Sequence, residues 1–214
     1  MMTILSLTLA ALTQIATAVP HENGVFDAHF DDNGVQVVNR VGNITAPPEN
    51  WKNSNERRAD SAKFLERRKK TKAAHTVCKA DGAILAANDI DVAQYALSTT
   101  CDLEVSSGKG DQFIPKGSWR YSVQNGVVAY VCNFASKSQH CLQDEVISDL
   151  DHVQSDCMNT EGQSTQDDHL RDILLIAPPA GYYNHPDWAK GYGYALWRDT
   201  DDHKDLCPNS KKNA

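Results

Sequence analysis

No cysteine occurs in the first 77 residues of this 214-residue chain, and no two of its six cysteines are spaced as C-x-x-C. The closest pair, Cys132 and Cys141, is nine apart, which excludes the usual zinc-site spacing. After residue 18 no apolar run approaches the roughly 20 residues that cross a bilayer, so no membrane span is expected. The chain has no G-x-S-x-G, no P-loop, no G-x-G-x-x-G after a strand and no H-E-x-x-H, which removes the common hydrolase, nucleotide-binding and metalloprotease signatures. Cationic excess is missing too. The formal charge is −7, and residues 75 to 214 carry eleven Lys/Arg against twenty Asp/Glu, or −9. Phosphate backbones are bound by cationic neutralisation, so no nucleic-acid partner is expected.

What is present begins with Met1 to Ala18, an uncharged apolar run ending in Ala16-Thr17-Ala18. Its apolar part, Ile4 to Leu12, is too short for an anchor, and the small-x-small ending reads as a secretory signal peptide cleaved after Ala18. Residues 19–72 read as a propeptide or disordered leader, with a Pro/Asn-rich middle from Thr45 to Trp51. Two dibasic pairs close it, Arg57-Arg58 and Arg67-Arg68, which suit a kexin-type protease; a basic helix face is the rival reading, and a nuclear signal ranks third. Asn43-Ile44-Thr45 is the sole N-glycosylation sequon, and on this reading a glycan there decorates the leader.

Residues 75–214 hold all six cysteines: Cys78, Cys101, Cys132, Cys141, Cys157 and Cys207. An even count behind a secretory signal predicts three disulfides, with 15 formal connectivities. Ser118 to Phe134 reads as a β-hairpin, two alternating runs joined by Asn125-Gly126, a pair suited to the positive φ angles of a type I′ turn. Trp119 then faces Cys132, Tyr121 faces Tyr130 and Val123 faces Val128, which puts Cys132 on the core side and Arg120, Ser122, Gln124 and Asn133 on the other.

Ile90, Ala93, Leu97 and Cys101 form one helical stripe, capped by Asn88; Val146, Leu150, Val153 and Cys157 form a second, from about Leu142. Thr76 to Ala80 and Asp172 to Ala177 add strands, and Gly193 to Trp197 a possible further one. The predicted fold is α+β, two helices packed on an antiparallel sheet in a βαββαβ-like order with an extra C-terminal strand. It implies the pairs Cys78–Cys157, Cys101–Cys132 and Cys141–Cys207.

Four histidines lie beside carboxylates, in Asp151-His152, Asp167-Asp168-His169, His185-Pro186-Asp187 and Asp201-Asp202-His203, but none fits a spaced catalytic motif, and acidic domains produce such neighbours by composition. His140, His169, Glu145 and Arg120 could fill the roles of a ribonuclease; their spacing matches no such pattern, so no catalytic residue is assigned. The acidic run from Arg198 to Asp205 lacks the glycine and the closing glutamate of a calcium loop, so neither a metal nor a cofactor is expected. Pro178 to Trp197 gathers tyrosines and tryptophans among Gly and Pro; Tyr182, Tyr183 and Trp188 are the binding candidates, whereas Tyr192, Tyr194 and Trp197 suit a packed strand.

The layout of signal, leader with dibasic pairs and acidic six-cysteine domain, with the stretch Gly126-x-x-x-Tyr130-x-Cys132-Asn133, resembles the small secreted cysteine-rich proteins of filamentous fungi, many of them effectors. The resemblance covers the architecture and the residues around the hairpin. It implies an extracellular, usually non-catalytic protein, monomeric, acting in virulence, immunity modulation or cell death by binding a host or competitor protein or a cell-surface glycan. A secreted ribonuclease-like hydrolase and an antimicrobial or killer-type protein are the alternatives.

Overall fold

The computed structural model describes residues 22–49, 51, 75–78, 85–101, 113–161, 180–185, 189–197 and 206–207, with side chains of the last helix described to Cys157. The signal segment, both dibasic pairs, the strand expected over 172–177, His169, Trp188 and the acidic run at 198–205 lie outside these residues.

The Asn125-Gly126 turn forms as its residue types require, with φ angles of 48° and 82°. It joins β5 (Trp119–Gln124) to β6 (Val127–Asn133) in the expected register, Trp119 opposite Cys132, Tyr121 opposite Tyr130 and Val123 opposite Val128. β6 is buried along its whole length, because its run Val127-Val-Ala-Tyr-Val-Cys132 is apolar on both faces. Around this hairpin, β1 (Gly24–Phe30), β2 (Gln36–Gly42), β3 (His75–Cys78), β8 (Gly181–His185) and β9 (Lys190–Leu196) complete a seven-stranded sheet, order β2-β1-β5-β6-β9-β8-β3. Every neighbouring pair is antiparallel. β4 (Phe113–Ile114) and β7 (Gln139–His140) make a separate two-stranded ribbon.

Helices α1 (Ala87–Thr99) and α2 (Gln143–Glu161) lie on one face of the sheet, α1 over β5 and β6, α2 over β3, β8 and β9. Their expected stripes form the core there: Ile90, Ala93, Leu97 and Cys101 from α1 and its end, Val146, Leu150, Val153 and Cys157 from α2, against Val25, Val127, Ala129, Val131, Tyr192 and Tyr194. Asn88 is not the cap; α1 begins after Ala86, without a side-chain cap.

Three expectations change. The chain is α+β with two helices on an antiparallel sheet, but β3 is an edge strand paired with β8, and the β8–β9 hairpin stands between it and β6. That is not the split βαβ order. Second, the leader is not linker throughout: residues 24–42 supply two strands, with Val25, Phe26 and Ala28 buried. A turn at Asp31 to Gly34 joins them, in which the Asp31 carboxylate accepts from the amides of Asn33 (2.9 Å) and Val35 (2.8 Å) while Gly34 takes φ 75°.

Third, the helices cover the face of β5 that carries Arg120 and Ser122, not the face of Cys132. The Ser122 hydroxyl donates to the Ala93 carbonyl at 2.6 Å, inside the helix-side core. The opposite face has its own core of Phe26, Trp119, Tyr121, Val128, Tyr130, Cys132 and Trp197, with Leu206 and Cys207 packed on it. The disulfides obey this division. Cys78 joins Cys157 as expected; Cys101 joins Cys141 on the helix side, and Cys132 joins Cys207 on the other. The pairs Cys101–Cys132 and Cys141–Cys207 would each have had to pass through the sheet.

Candidate functional site

β9 shows how local sequence builds the helix-side surface. In Lys190-Gly-Tyr-Gly-Tyr-Ala-Leu196 the tyrosines alternate toward the helices, and the glycines between them leave the other face bare. The Tyr130 ring lies across Gly193 so closely that a Cβ there would stand 2.5 Å from its Cζ and 2.6 Å from the Gly181 carbonyl. Tyr192, Tyr194 and Trp197 are therefore packed residues, as a strand reading expects.

β8 obeys the same alternation, and this separates two of the binding candidates. Tyr183 packs on the helix side, its ring 5.4 Å from His152 and 4.6 Å from His185. Tyr182 packs against the opposite core. Neighbours on one strand point to opposite faces, so the pair does not form a single contact surface.

α2 presents Glu145, Asp149, His152 and Asp156 at helical spacing toward β9, β8 and β3. The Lys190 ammonium donates to Glu145 Oε1 at 2.9 Å and to the His140 carbonyl at 2.5 Å, and the Tyr192 hydroxyl donates to the same carboxylate oxygen. His185 Nε2 lies 3.1 Å from Asp149 Oδ2, so it pairs with this carboxylate from α2, distant in sequence. The Thr76 hydroxyl donates to Asp156. Glu145, Asp149, His185 and Lys190 are all buried.

The quartet considered for a ribonuclease is not assembled by its described members. Glu145 is held by Lys190 and Tyr192. Arg120 is held by Asp27, through Nε to Oδ1 at 2.6 Å and Nη2 to Oδ2 at 2.8 Å, and by the Thr100 carbonyl at 2.8 Å. In the row Arg120–Val131–Tyr192 across the sheet, Val131 stands between the guanidinium's strand and the partner of Glu145. His140 is exposed on β7, its ring 4.2 Å from that of Phe113. Among the described residues no group of three His, Cys, Asp or Glu is placed to hold a metal.

An open cleft of about 700 Å³ lies where the β1–β2 hairpin meets the end of α1 and the β4 ribbon, lined by Asp27, Arg40, Val41, Thr100, Phe113, Pro115 and Arg120. The Asp27–Arg120 pair lies in its lining. Val41 and Phe113, 43% and 44% exposed, add apolar surface, and they are two of the four large hydrophobic side chains exposed among the described residues. Arg40 also lines the cleft, but its guanidinium bonds to Glu22 at 2.8 Å, the Asn23 carbonyl at 3.0 Å and Asn43 Oδ1 at 3.0 Å and lies 5.8 Å from the ring centroid of Phe26, a residue of the opposite core. The sequon residue Asn43 is thus exposed on the folded unit, one hydrogen bond from the cleft. Sequence reasoning missed this cleft because three of its seven lining residues come from the presumed leader; Asn33-Gly34 between two apolar runs was the available signal.

Burial of the sheet tyrosines has a measurable consequence. Tyr194 is held well above the ordinary value by burial and then by Asp151 and Asp91, Tyr183 is raised by burial and then by Asp149 and Asp156, and burial raises Tyr121 and Tyr130 as well. An unfolded tyrosine loses its proton near pH 10, whereas these folded ones keep theirs, so the unfolded state binds fewer protons above that pH. Stability is fully present below about pH 10 and falls as pH rises beyond it. The thermal midpoint should drop steeply between about pH 10 and 11, with part of the tyrosinate absorbance appearing only on unfolding. A tyrosinate signal from all seven tyrosines in the still-folded protein would contradict the burial.

Compared with family models, curated proteins and solved structures, the chain matches none. The structure itself defines the class: a small cysteine-rich α+β protein with three disulfides, in which no described helix is long and apolar enough to cross a membrane.

Proposed function

We propose that the protein is a secreted, non-enzymatic effector or toxin-like protein that acts in the host apoplast by binding a host molecule, and that the hairpin-side cleft is its recognition surface. The observation that carries the reading is the cleft itself, which gathers exposed Val41 and Phe113 over a neutralised Asp27–Arg120 base. Exposed apolar side chains around a neutralised ion pair, on a scaffold braced by three disulfides, have the make-up of a contact surface. By contrast, the acid, base and cation that a hydrolase would need are engaged with internal partners, Glu145 with Lys190, His185 with Asp149 and Arg120 with Asp27. The fungal origin, the signal peptide cut after Ala18, cleavage at the dibasic pairs without loss of the strands before them, and the glycan at Asn43 belong to this same proposal.

Leaf infiltration with the purified secreted protein and its Phe113→Asp variant tests it. Phe113 is 44% exposed, so the variant should keep its stability within about 0.5 kcal/mol while the leaf response falls at least tenfold. An undiminished response rules out the cleft. Growth inhibition of microbes without a leaf response would favour the antimicrobial alternative, and turnover in a nuclease assay the hydrolase.

A further inference from the structure

We infer that residues 22–51 form a docked, strand-donating subunit whose hold on the rest of the protein does not depend on chain continuity, so that proteolysis between residues 51 and 75 yields a two-chain protein instead of freeing the leader. β1 lies between β2 and β5, and five of its residues, Gly24 to Ala28, pair with Val123 to Trp119 of β5. The strand is built into both cores: Val25 enters the helix-side cluster, and Phe26 and Ala28 enter the opposite one. Phe26 stacks on Tyr121 with ring centroids 5.3 Å apart, and Phe30 lies 5.4 Å from Trp119.

Charge specifies the fit. Asp27 is the two-point partner of the buried Arg120, so the β5 edge accepts a strand with an acid at that register and apolar residues on either side of it. A second anchor closes the segment. Trp51 is buried with its ring edge-on to Tyr95 of α1, 5.2 Å between centroids. No cysteine precedes Cys78, so all of this hold is non-covalent, while the three disulfides tie together only the chain from Cys78 to Cys207. Both dibasic pairs fall between the anchors and β3. Retention of the segment is independent of target recognition by the cleft, and separate assays read the two.

The test inserts a site-specific protease recognition sequence between Arg58 and Arg67 of the full secreted chain, with Arg58→Ala, Arg68→Ala and Lys70→Ala to block other cuts. After complete cleavage, confirmed by denaturing mass, native size exclusion should return both chains in one peak that denaturant alone resolves. Amide hydrogen exchange in β5 should match that of the uncut protein. With Asp27→Ala, the N-terminal chain should leave roughly a hundredfold faster. An N-terminal chain that elutes apart, whether or not the remainder stays folded, overturns the inference, as does co-elution with β5 protection lost.

Discussion

Asp27→Ala should destabilise the protein by about 3 kcal/mol, read as a lower urea midpoint at unchanged slope. The Arg120 side chain is only 3% exposed, and Asp27, at 25%, closes it from the cleft side with two hydrogen bonds. Truncating the acid leaves the guanidinium buried under α1, still donating to the Thr100 carbonyl but deprived of its bidentate carboxylate. The cost therefore arises less from a lost attraction than from a buried charge that has lost this neutralising partner. This distinguishes the site from an exposed pair such as Arg40–Glu22, with both side chains more than 40% exposed, whose removal should cost less than about 1 kcal/mol. Adding Arg120→Met to Asp27→Ala should recover at least half of the loss, because the second change removes the buried charge. A double variant weaker than Asp27→Ala would show that Arg120 acts mainly through Thr100.

Glu145→Ala should cost as much or more, roughly 3 to 5 kcal/mol by the same measurement. Its carboxylate receives both the Lys190 ammonium and the Tyr192 hydroxyl, and the two charged side chains are 1% and 5% exposed. Without the acid, Lys190 keeps its bond to the His140 carbonyl but loses its counter-charge, and the Tyr192 hydroxyl loses this acceptor within the core. Glu145→Gln should fall between, since an amide oxygen still accepts from both donors but carries no charge. The same variants separate structure from catalysis. If Glu145 were a general acid or base, Glu145→Gln would remove an activity while leaving the midpoint nearly unmoved; the geometry expects the midpoint to fall.

The parts of the fold legible in the sequence are those whose signals are local. Asn125-Gly126 with alternating flanks carries its own register, and the two apolar stripes ending in Cys101 and Cys157 name their buried faces. β1 is hidden because Gly-Val-Phe-Asp-Ala-His-Phe places an aspartate in mid-strand, and its reason, Arg120, is 93 residues away. The disulfide pairing is half hidden for a related cause. Alternation says that Trp119, Tyr121 and Cys132 share a face, but not on which face the helices settle, and with both faces apolar along β6 the composition gives no preference. The aromatic segment is legible in its second part, where Tyr192 and Tyr194 pack on a strand, and misleads in its first, where Gly and Pro suggest a loop but Gly181–His185 is a strand with Tyr182 and Tyr183 on opposite faces.

The place of β1 in the sheet also sets an order of events during synthesis. The strand that leaves the ribosome first can hydrogen-bond to β2 at once, but its inner edge must wait for β5, which is made some ninety residues later. Contacts so distant in sequence close late, after the β5–β6 hairpin has formed its own local turn. Until then Phe26, Ala28 and Asp27 are unprotected, and so is the nascent edge that will receive them. The earliest residues of the folded unit are thus among the last to reach their native partners, and the interval between these events is when the chain is most open to rescue or to loss.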